Sequence, residues 1–146
     1  MRLNLQTDYA LRMLMHLAVN TDRLCTIADI AARYAISKNH LMKVAHALGK
    51  EGYIETIRGR TGGLSLALPA DEINIGEVVR KMEADFALVE CFQGGAGECV
   101  ITPACRLKNV LSEAVCAFFS VLDNYTLDDL VRRNAKLRLL LTEDAA

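Results

Sequence analysis

The sequence lacks a hydrophobic run that approaches the ~20 residues of a membrane-spanning helix. Its amino terminus also lacks the pattern of basic and apolar residues that marks a signal peptide. We therefore expect a cytoplasmic protein without a membrane partner. Of the 146 residues 52% are hydrophobic, which is enough to bury the core of one domain or of a domain with an appendage.

The sequence also lacks the closely spaced cysteine pairs that are typical of structural zinc sites. Its five cysteines are an odd number, and a disulfide framework is not expected in the cytosol. No Cys–His pattern of a nucleophile with its base is visible, so we expect no catalysis. His40 and His46 show no metal-ligand spacing. Cys25 and Cys116 fall within apolar helical patterns, which predicts buried, inert thiols.

Charge is unevenly distributed along the chain. Residues 1–63 carry nine Lys and Arg against five Asp and Glu, a net charge of +4, whereas residues 64–146 carry eight against thirteen, a net charge of −5. A basic amino-terminal half suits nucleic acid, although charge alone does not separate this from chance surface variation.

Three helices are predicted in the basic half. The first has apolar residues near helical spacing over residues 9–17, with Thr7 or Asp8 as its N-cap. Thr26, followed three residues later by Asp29, predicts a capping box for a short second helix. Ser37 can cap the third helix, in which Leu41, Val44, Ala45 and Leu48 are expected to face the core.

A β-hairpin is predicted next. The β-prone runs YIETI and LSLAL flank RGRTGG, which supplies turn glycines and two arginines. Three helices followed by a basic hairpin predict a mainly α fold with a small β-hairpin, namely a winged helix-turn-helix over residues 1–82. Such a domain inserts its third helix into the major groove and lays its wing along the backbone or the minor groove. The residues expected to contact DNA are Ser37, Lys38, Asn39, His40 and Lys43 of the third helix and Arg58 and Arg60 of the wing.

A long helix is predicted after Pro103. Its apolar face is wider than the small domain needs for its own packing. The apolar residues of this face are Leu107, Val110, Leu111, Ala114, Val115, Phe118, Phe119 and Leu122. Residues 107–146 are therefore expected to form a dimerisation helix and a carboxy-terminal helix, the latter starting at Thr126 with Asp129 in capping-box position. A homodimer would suit a palindromic operator in double-stranded DNA.

Residues 83–106 contain Cys91, Cys99 and Cys105 in a glycine-rich segment with Gly94, Gly95 and Gly97. Wide spacing on a pliable segment lets thiolates reach three corners of an iron-sulfur cluster, with the last position left to a residue elsewhere. Glycines also permit close approach of the backbone to inorganic sulfide. Zinc is the second possibility, because a structural zinc site usually has four ligands.

The order of winged helix, three-cysteine segment and long helix resembles the winged-helix iron-sulfur transcription factors over almost the whole chain. Within that family, the group most similar is the nitric-oxide-sensing repressors, on the motifs TDYALR, SKNHLMKV, RGRTGG, ITPACRLK and LDNYTLDDLV. Iron-responsive members share the cysteine spacing and FALVECF, and they remain the closest alternative. Cluster-biogenesis regulators have a histidine ligand where this chain has Lys108.

The resemblance implies a dimeric repressor whose cluster reacts with nitric oxide and thereby releases DNA. It also implies that Asp8 of the partner subunit completes the cluster, although Asp8 could equally be an N-cap or an ion-pair partner of Arg12. A 4Fe-4S cluster is favoured and a 2Fe-2S cluster stays open. The other classes of function are an iron- or cluster-responsive regulator, a zinc or thiol-redox regulator, and an enzyme with a cysteine nucleophile.

Overall fold

The computed structural model describes residues 1–93 and 99–142. Gly94, Gly95 and Gly97, which the sequence places in the cysteine segment, lie outside these ranges. Within them the helices are α1 (Leu5–Val19), α2 (Ile27–Tyr34), α3 (Lys38–Lys50), α4 (Ile75–Met82), α5 (Arg106–Leu122), α6 (Leu127–Val131) and α7 (Ala135–Thr142). The strands β1 (Ile54–Ile57) and β2 (Gly63–Leu66) form one antiparallel hairpin. The mainly α fold with a small hairpin is therefore confirmed.

The start of α1 differs from the prediction. Asn4 is the N-cap, since its side chain accepts a hydrogen bond from the backbone N–H of Thr7 at 2.7 Å. The prediction of Thr7 or Asp8 as the cap is wrong, because the helix already begins at Leu5. Asn4 also donates through its backbone N–H to Glu83 at 2.7 Å, so the cap joins α1 to the residue that follows α4.

The caps of the next two helices agree with the sequence prediction. Thr26 and Asp29 exchange hydrogen bonds in a capping box, and the Ser37 side chain accepts from the backbone N–H of His40 at 3.2 Å. Between α2 and α3, Ala35 takes a left-handed conformation with φ 53°, which closes the tight turn of the helix-turn-helix.

The hydrophobic core is formed by α1, α2 and α3 together with the hairpin, α4 and α6. Its largest fully buried members in α1, α2 and α3 are Met13, Leu14, Ile30, Leu41 and Leu48. Val44 and Ala45 of α3 are also buried, so all four inward positions predicted for that helix are confirmed. The hairpin is joined to the helices through Cys25, whose backbone exchanges hydrogen bonds with Leu64 at 3.0 and 2.7 Å. Cys25 is buried, as predicted.

The long helix α5 begins later than Pro103 suggested. Pro103 lies in a single 3₁₀ turn, Thr102–Ala104, and α5 starts at Arg106 with Cys105 in the N-cap position. The proline has no backbone N–H to donate, so it fits the first turn of a helix. Here that turn is the short 3₁₀ turn before α5 rather than the first turn of α5 itself.

The end of α5 is fastened to α4. Arg80 of α4 binds both carboxylate oxygens of Asp123 at 2.6 and 2.7 Å, and its guanidinium lies 4.2 Å from the centre of the Phe119 ring. In addition, the backbone N–H of Leu127 donates a hydrogen bond to the carbonyl oxygen of Ile73 at 2.8 Å. The Arg80 pair holds the pKa of Asp123 below its ordinary value through hydrogen bonding. The capping box of Thr126 and Asp129 then starts α6, as predicted.

Much of the apolar face of α5 is uncovered in the single chain. Leu107 is 60% exposed and Val110 59%, whereas Phe119 is buried. Val121, which the sequence prediction did not include in this face, is 58% exposed. Cys116 is exposed on the same helix, so the expectation that it is buried is wrong for the single chain. Among the helices within residues 1–93 and 99–142, none is long and apolar enough to cross a bilayer.

His16 gives the core a pH dependence. It is 2% exposed, and within the described part of the chain neither ring nitrogen has a hydrogen-bond partner. Burial, followed by the charges of Arg23 and Arg33, lowers the pKa of His16 from 6.5 to about 4. The folded state therefore disfavours the protonated imidazole, which the unfolded chain accepts freely below its ordinary pKa.

We expect this histidine to destabilise the fold as the pH falls. Its contribution to the free energy of unfolding is constant above pH 6.5. As the pH falls from 6.5 to about 4, the unfolding free energy decreases by about 3 kcal/mol at most. The measurement is urea unfolding of the wild type and His16→Leu at pH 7, 5.5 and 4. The wild type should lose more unfolding free energy than the variant, and parallel losses would contradict the burial argument.

Candidate nucleic-acid interface and cysteine segment

The third helix presents a polar face opposite its core face. Leu41, Val44 and Leu48 are buried, and the residues predicted to contact DNA lie on the other side of α3 or at its start. All of them are exposed, namely Ser37, Lys38, Asn39, His40 and Lys43. The helical period produces this division, because positions three and four apart share a face.

The predicted contact residues are not equivalent in orientation. The His40 ring lies 6.1 Å from the ring of Tyr9 in α1, centre to centre, so His40 is at the flank of the face nearest α1. Asn39 and Lys43 are more central. The hydroxyl of Ser37 accepts a bond as the helix cap, yet its proton is still available to a phosphate.

Two further residues belong to this face. Met42 and His46 are exposed and line one shallow surface depression together with Asn39 and Lys43. The sequence prediction included only the amino-terminal part of the helix and therefore missed them. The 3.6-residue period could have identified both, because residues 39, 42, 43 and 46 recur on the side opposite the buried positions.

The wing places both predicted arginines in solvent. Arg58 and Arg60 lie in the connection between β1 and β2, and both are exposed. Gly62 fixes the shape of this connection, since a Cβ atom there would collide with the backbone carbonyl oxygen of Ile57. The wing and the amino-terminal part of α3 are thus two cationic, exposed elements of one small domain.

The cysteine segment carries three free thiols. Cys91 lies in the 3₁₀ turn Glu90–Phe92 and Cys105 at the start of α5, both half-buried, while Cys99 is exposed. Cys91 and Lys108 line a common depression of about 430 Å³. The donor chemistry suits iron, because thiolates are its usual ligands in clusters. In the part of the chain that the structure describes, no three His, Cys, Asp or Glu residues converge on a metal position.

Asp8 lies in the first turn of α1 as an ion-pair partner of Arg12. The guanidinium donates to both carboxylate oxygens, at 3.0 and 2.7 Å, and about two fifths of each side chain is exposed. The structure therefore places Asp8 in the ion pair that the sequence offered as one alternative. Each carboxylate oxygen keeps a lone pair that a metal could use.

A helix-turn-helix with an exposed polar recognition helix and a basic wing defines the class of winged-helix DNA-binding proteins. The chain belongs to the Rrf2 family of transcriptional regulators, because the family model described as "Iron-dependent Transcriptional regulator" matches residues 3–133.

Similar proteins support this family. The HTH-type transcriptional regulator NsrR of Bacillus subtilis (strain 168) is 54% identical over 142 residues, which cover 97% of each chain. NsrR of Bacillus licheniformis is 52% identical over 143 residues, covering 97% of this chain and 100% of that protein. The expected resemblance to NsrR regulators is therefore confirmed.

Two solved structures share the architecture. The oxidized form of Staphylococcus aureus CymR has a TM-score of 0.70 at 25% identity, covering 89% of this chain and 95% of that one. T. potens IscR has a TM-score of 0.73 at 22% identity, covering 93% of this chain and 90% of that one. This second similarity shows a shared fold and nothing more. The relatives are transcriptional regulators rather than enzymes, so this chain is a DNA-binding transcriptional regulator.

We expect Lys43→Ala and Arg60→Ala each to weaken DNA binding. If each side chain neutralises one phosphate, its removal lowers the slope of log affinity against log salt by ~0.9. The measurement is fluorescence anisotropy at several salt concentrations. Lys136→Ala, at an exposed position of α7, is the matched control and should keep the wild-type slope. Wild-type slopes for both test variants would refute the docking geometry.

Proposed function

We propose that the chain is a homodimeric, cytoplasmic repressor whose binding to a palindromic operator depends on an iron-sulfur cluster and is relieved by nitric oxide. In this proposal residues 1–82 read DNA, residues 83–106 hold the cluster and residues 107–146 supply the dimer contact. The proposal rests on one observation: a single chain combines an exposed polar face on α3 with three free thiols in a short segment.

Cys91, Cys99 and Cys105 would hold the cluster. Cys105 occupies the start of the 17-residue helix α5, and the amino-terminal end of a helix favours negative charge such as that of a thiolate. Lys108 lies near Cys91 in the common depression and adds a positive charge beside the segment. When bound, the cluster supplies irons that react with nitric oxide.

The segment is fastened to the DNA-reading domain at one end and to the dimer helix at the other. Glu83 accepts hydrogen bonds from the backbone and side-chain N–H groups of Asn4, at 2.7 and 3.0 Å, and Asn4 caps α1. Cys105 continues directly into α5. Release of the three thiolates would free the chain between these anchors, which alters how α5 sets the distance between two recognition helices.

The dimer contact is assigned to α5. A second copy would cover the exposed side chains of Leu107, Val110 and Val121, and burial of an apolar face of this kind is the usual driving force of association. The twofold axis would then relate two recognition helices, as a palindromic operator requires.

A second candidate function is response to iron or cluster supply. The family to which the chain belongs is described as one of iron-dependent regulators, which favours this function. The two functions use the same ligands and differ in the signal. Nitric oxide added at constant iron releases DNA under the first, whereas only removal of iron releases it under the second.

We expect the cluster chromophore to require three thiols and no others. Singly, Cys91→Ala, Cys99→Ala and Cys105→Ala should abolish the visible absorption of anaerobically reconstituted protein, because each would remove one thiolate ligand. Cys25→Ala and Cys116→Ala are controls with thiols outside the segment and should stay brown. An equal loss at Cys116 would refute the ligand set, and colourless wild type that binds zinc would favour the zinc regulator.

We expect Val110→Lys to convert a dimer into a monomer at micromolar concentration. Val110 is 59% exposed in the single chain, so the lysine is harmless there and becomes a buried, unpaired charge only in the dimer. Phe118 suits the test less well, because its ring packs on Phe119 at 5.2 Å. The measurement is sedimentation velocity. Ile57→Lys, at an exposed position of β1, is the control. A monomeric wild type would contradict the proposed contact.

We expect Asp8→Ala to alter the cluster more than the fold. Its ion pair with Arg12 is about two fifths exposed and contributes about 0.3–0.5 kcal/mol to stability, whereas loss of an oxygen ligand would change the coordination of iron. The measurements are anaerobic spectra and nitric-oxide titrations of Asp8→Ala, Arg12→Ala and wild type. If Arg12→Ala reproduces the defect in full, or Asp8→Ala behaves as wild type, the fourth ligand lies elsewhere.

A further inference from the structure

One apolar side chain stands out on the DNA-reading face of α3. Met42 is 53% exposed, and the other exposed side chains of this helix are polar or cationic, apart from the side-chain-free Gly49. They are Lys38, Asn39, His40, Lys43, His46 and Lys50. A single exposed methionine is ordinary on a protein surface, so its position on the helix must carry the argument.

That position is within the predicted contact surface. Met42 follows Asn39 by three residues and precedes His46 by four, and both spacings place side chains side by side on a helix. The three side chains and Lys43 line one depression. A helix that enters the major groove with this face would carry Met42 beside the amide of Asn39, on the side away from Lys43.

The largest apolar group that the major groove offers to such a side chain is a methyl group. Of the four bases, thymine alone presents one there; cytosine has only a C5–H at the same position, and the N and O groups of the base edges are hydrogen-bond donors and acceptors. A methionine cannot donate a hydrogen bond and accepts one only weakly. Its flexible, polarizable thioether adapts well to an irregular apolar contact. The chemistry therefore matches Met42 to a thymine methyl and mismatches it to the polar edges of the other bases.

We propose that Met42 is a specificity-determining residue that reads the methyl group of one thymine in each operator half-site. The proposal rests on the proposed function, in which α3 enters the major groove. It adds to that function the identity of one thymine, separate from any base that Asn39 reads.

The test exchanges single methyl groups on the DNA. A duplex is first selected from a randomised pool with the anaerobically reconstituted wild-type protein, and each thymine of one half-site is then replaced in turn by deoxyuridine. For the wild type, one position should show a loss of affinity of about fourfold, the value of one buried methyl or methylene group. Met42→Ala and Met42→Gln should bind thymine and deoxyuridine at that position equally.

Lys43→Ala is the matched control from the same helix turn. It should bind more weakly overall and keep the preference for thymine, because a phosphate contact carries no base identity. If no thymine replacement affects the wild type, or if Met42→Ala retains the full preference, the assignment of Met42 is wrong. Failure of the wild type to enrich any duplex would instead refute the docking of α3 on DNA, so the two failures are distinguishable.

Discussion

Burial of one face of α3 against α1 and the rest of the core is the interaction on which the DNA-reading surface depends. Leu41 and Leu48 are fully buried and Val44 nearly so, and each buried side chain of this size contributes about 1.5–3 kcal/mol. Because the helical period leaves the opposite side free, this burial alone determines that Asn39 and Lys43 face solvent. The exposure of the predicted contact residues thus follows from packing, and they need no contact within the chain to face solvent.

The same core anchors both ends of residues 83–123. Asn4, which caps α1, is hydrogen-bonded to Glu83, and Arg80 fastens the end of α5 through Asp123. The segment with the three thiols lies between these anchors. In the proposed function, loss of the cluster therefore changes the chain between two fastened points. Because α5 carries the dimer contact in that proposal, the change alters the arrangement of the two subunits.

Local structure was largely predictable from the sequence, and tertiary relationships were not. The capping boxes at Thr26 and Thr126 depend on residues three positions apart, which a sequence displays directly. The cap at Asn4 was missed although its bond to Thr7 is equally local, because Asn4, Thr7 and Asp8 are all residue types that favour the N-cap position. The burial expected for Cys116 was inferred from an apolar pattern, and such a pattern does not say whether a neighbouring element or a second chain covers it. The ligand set, including Asp8, stays a prediction.

The central claim is that the state of the three thiols controls the DNA-reading domain. It is tested most directly by adding nitric oxide stepwise to anaerobic, reconstituted protein bound to labelled operator, with visible absorption and anisotropy recorded on the same sample. The account predicts that the chromophore changes and DNA dissociates over the same range of nitric oxide. Complete loss of the original chromophore with DNA still bound at its initial affinity would contradict it.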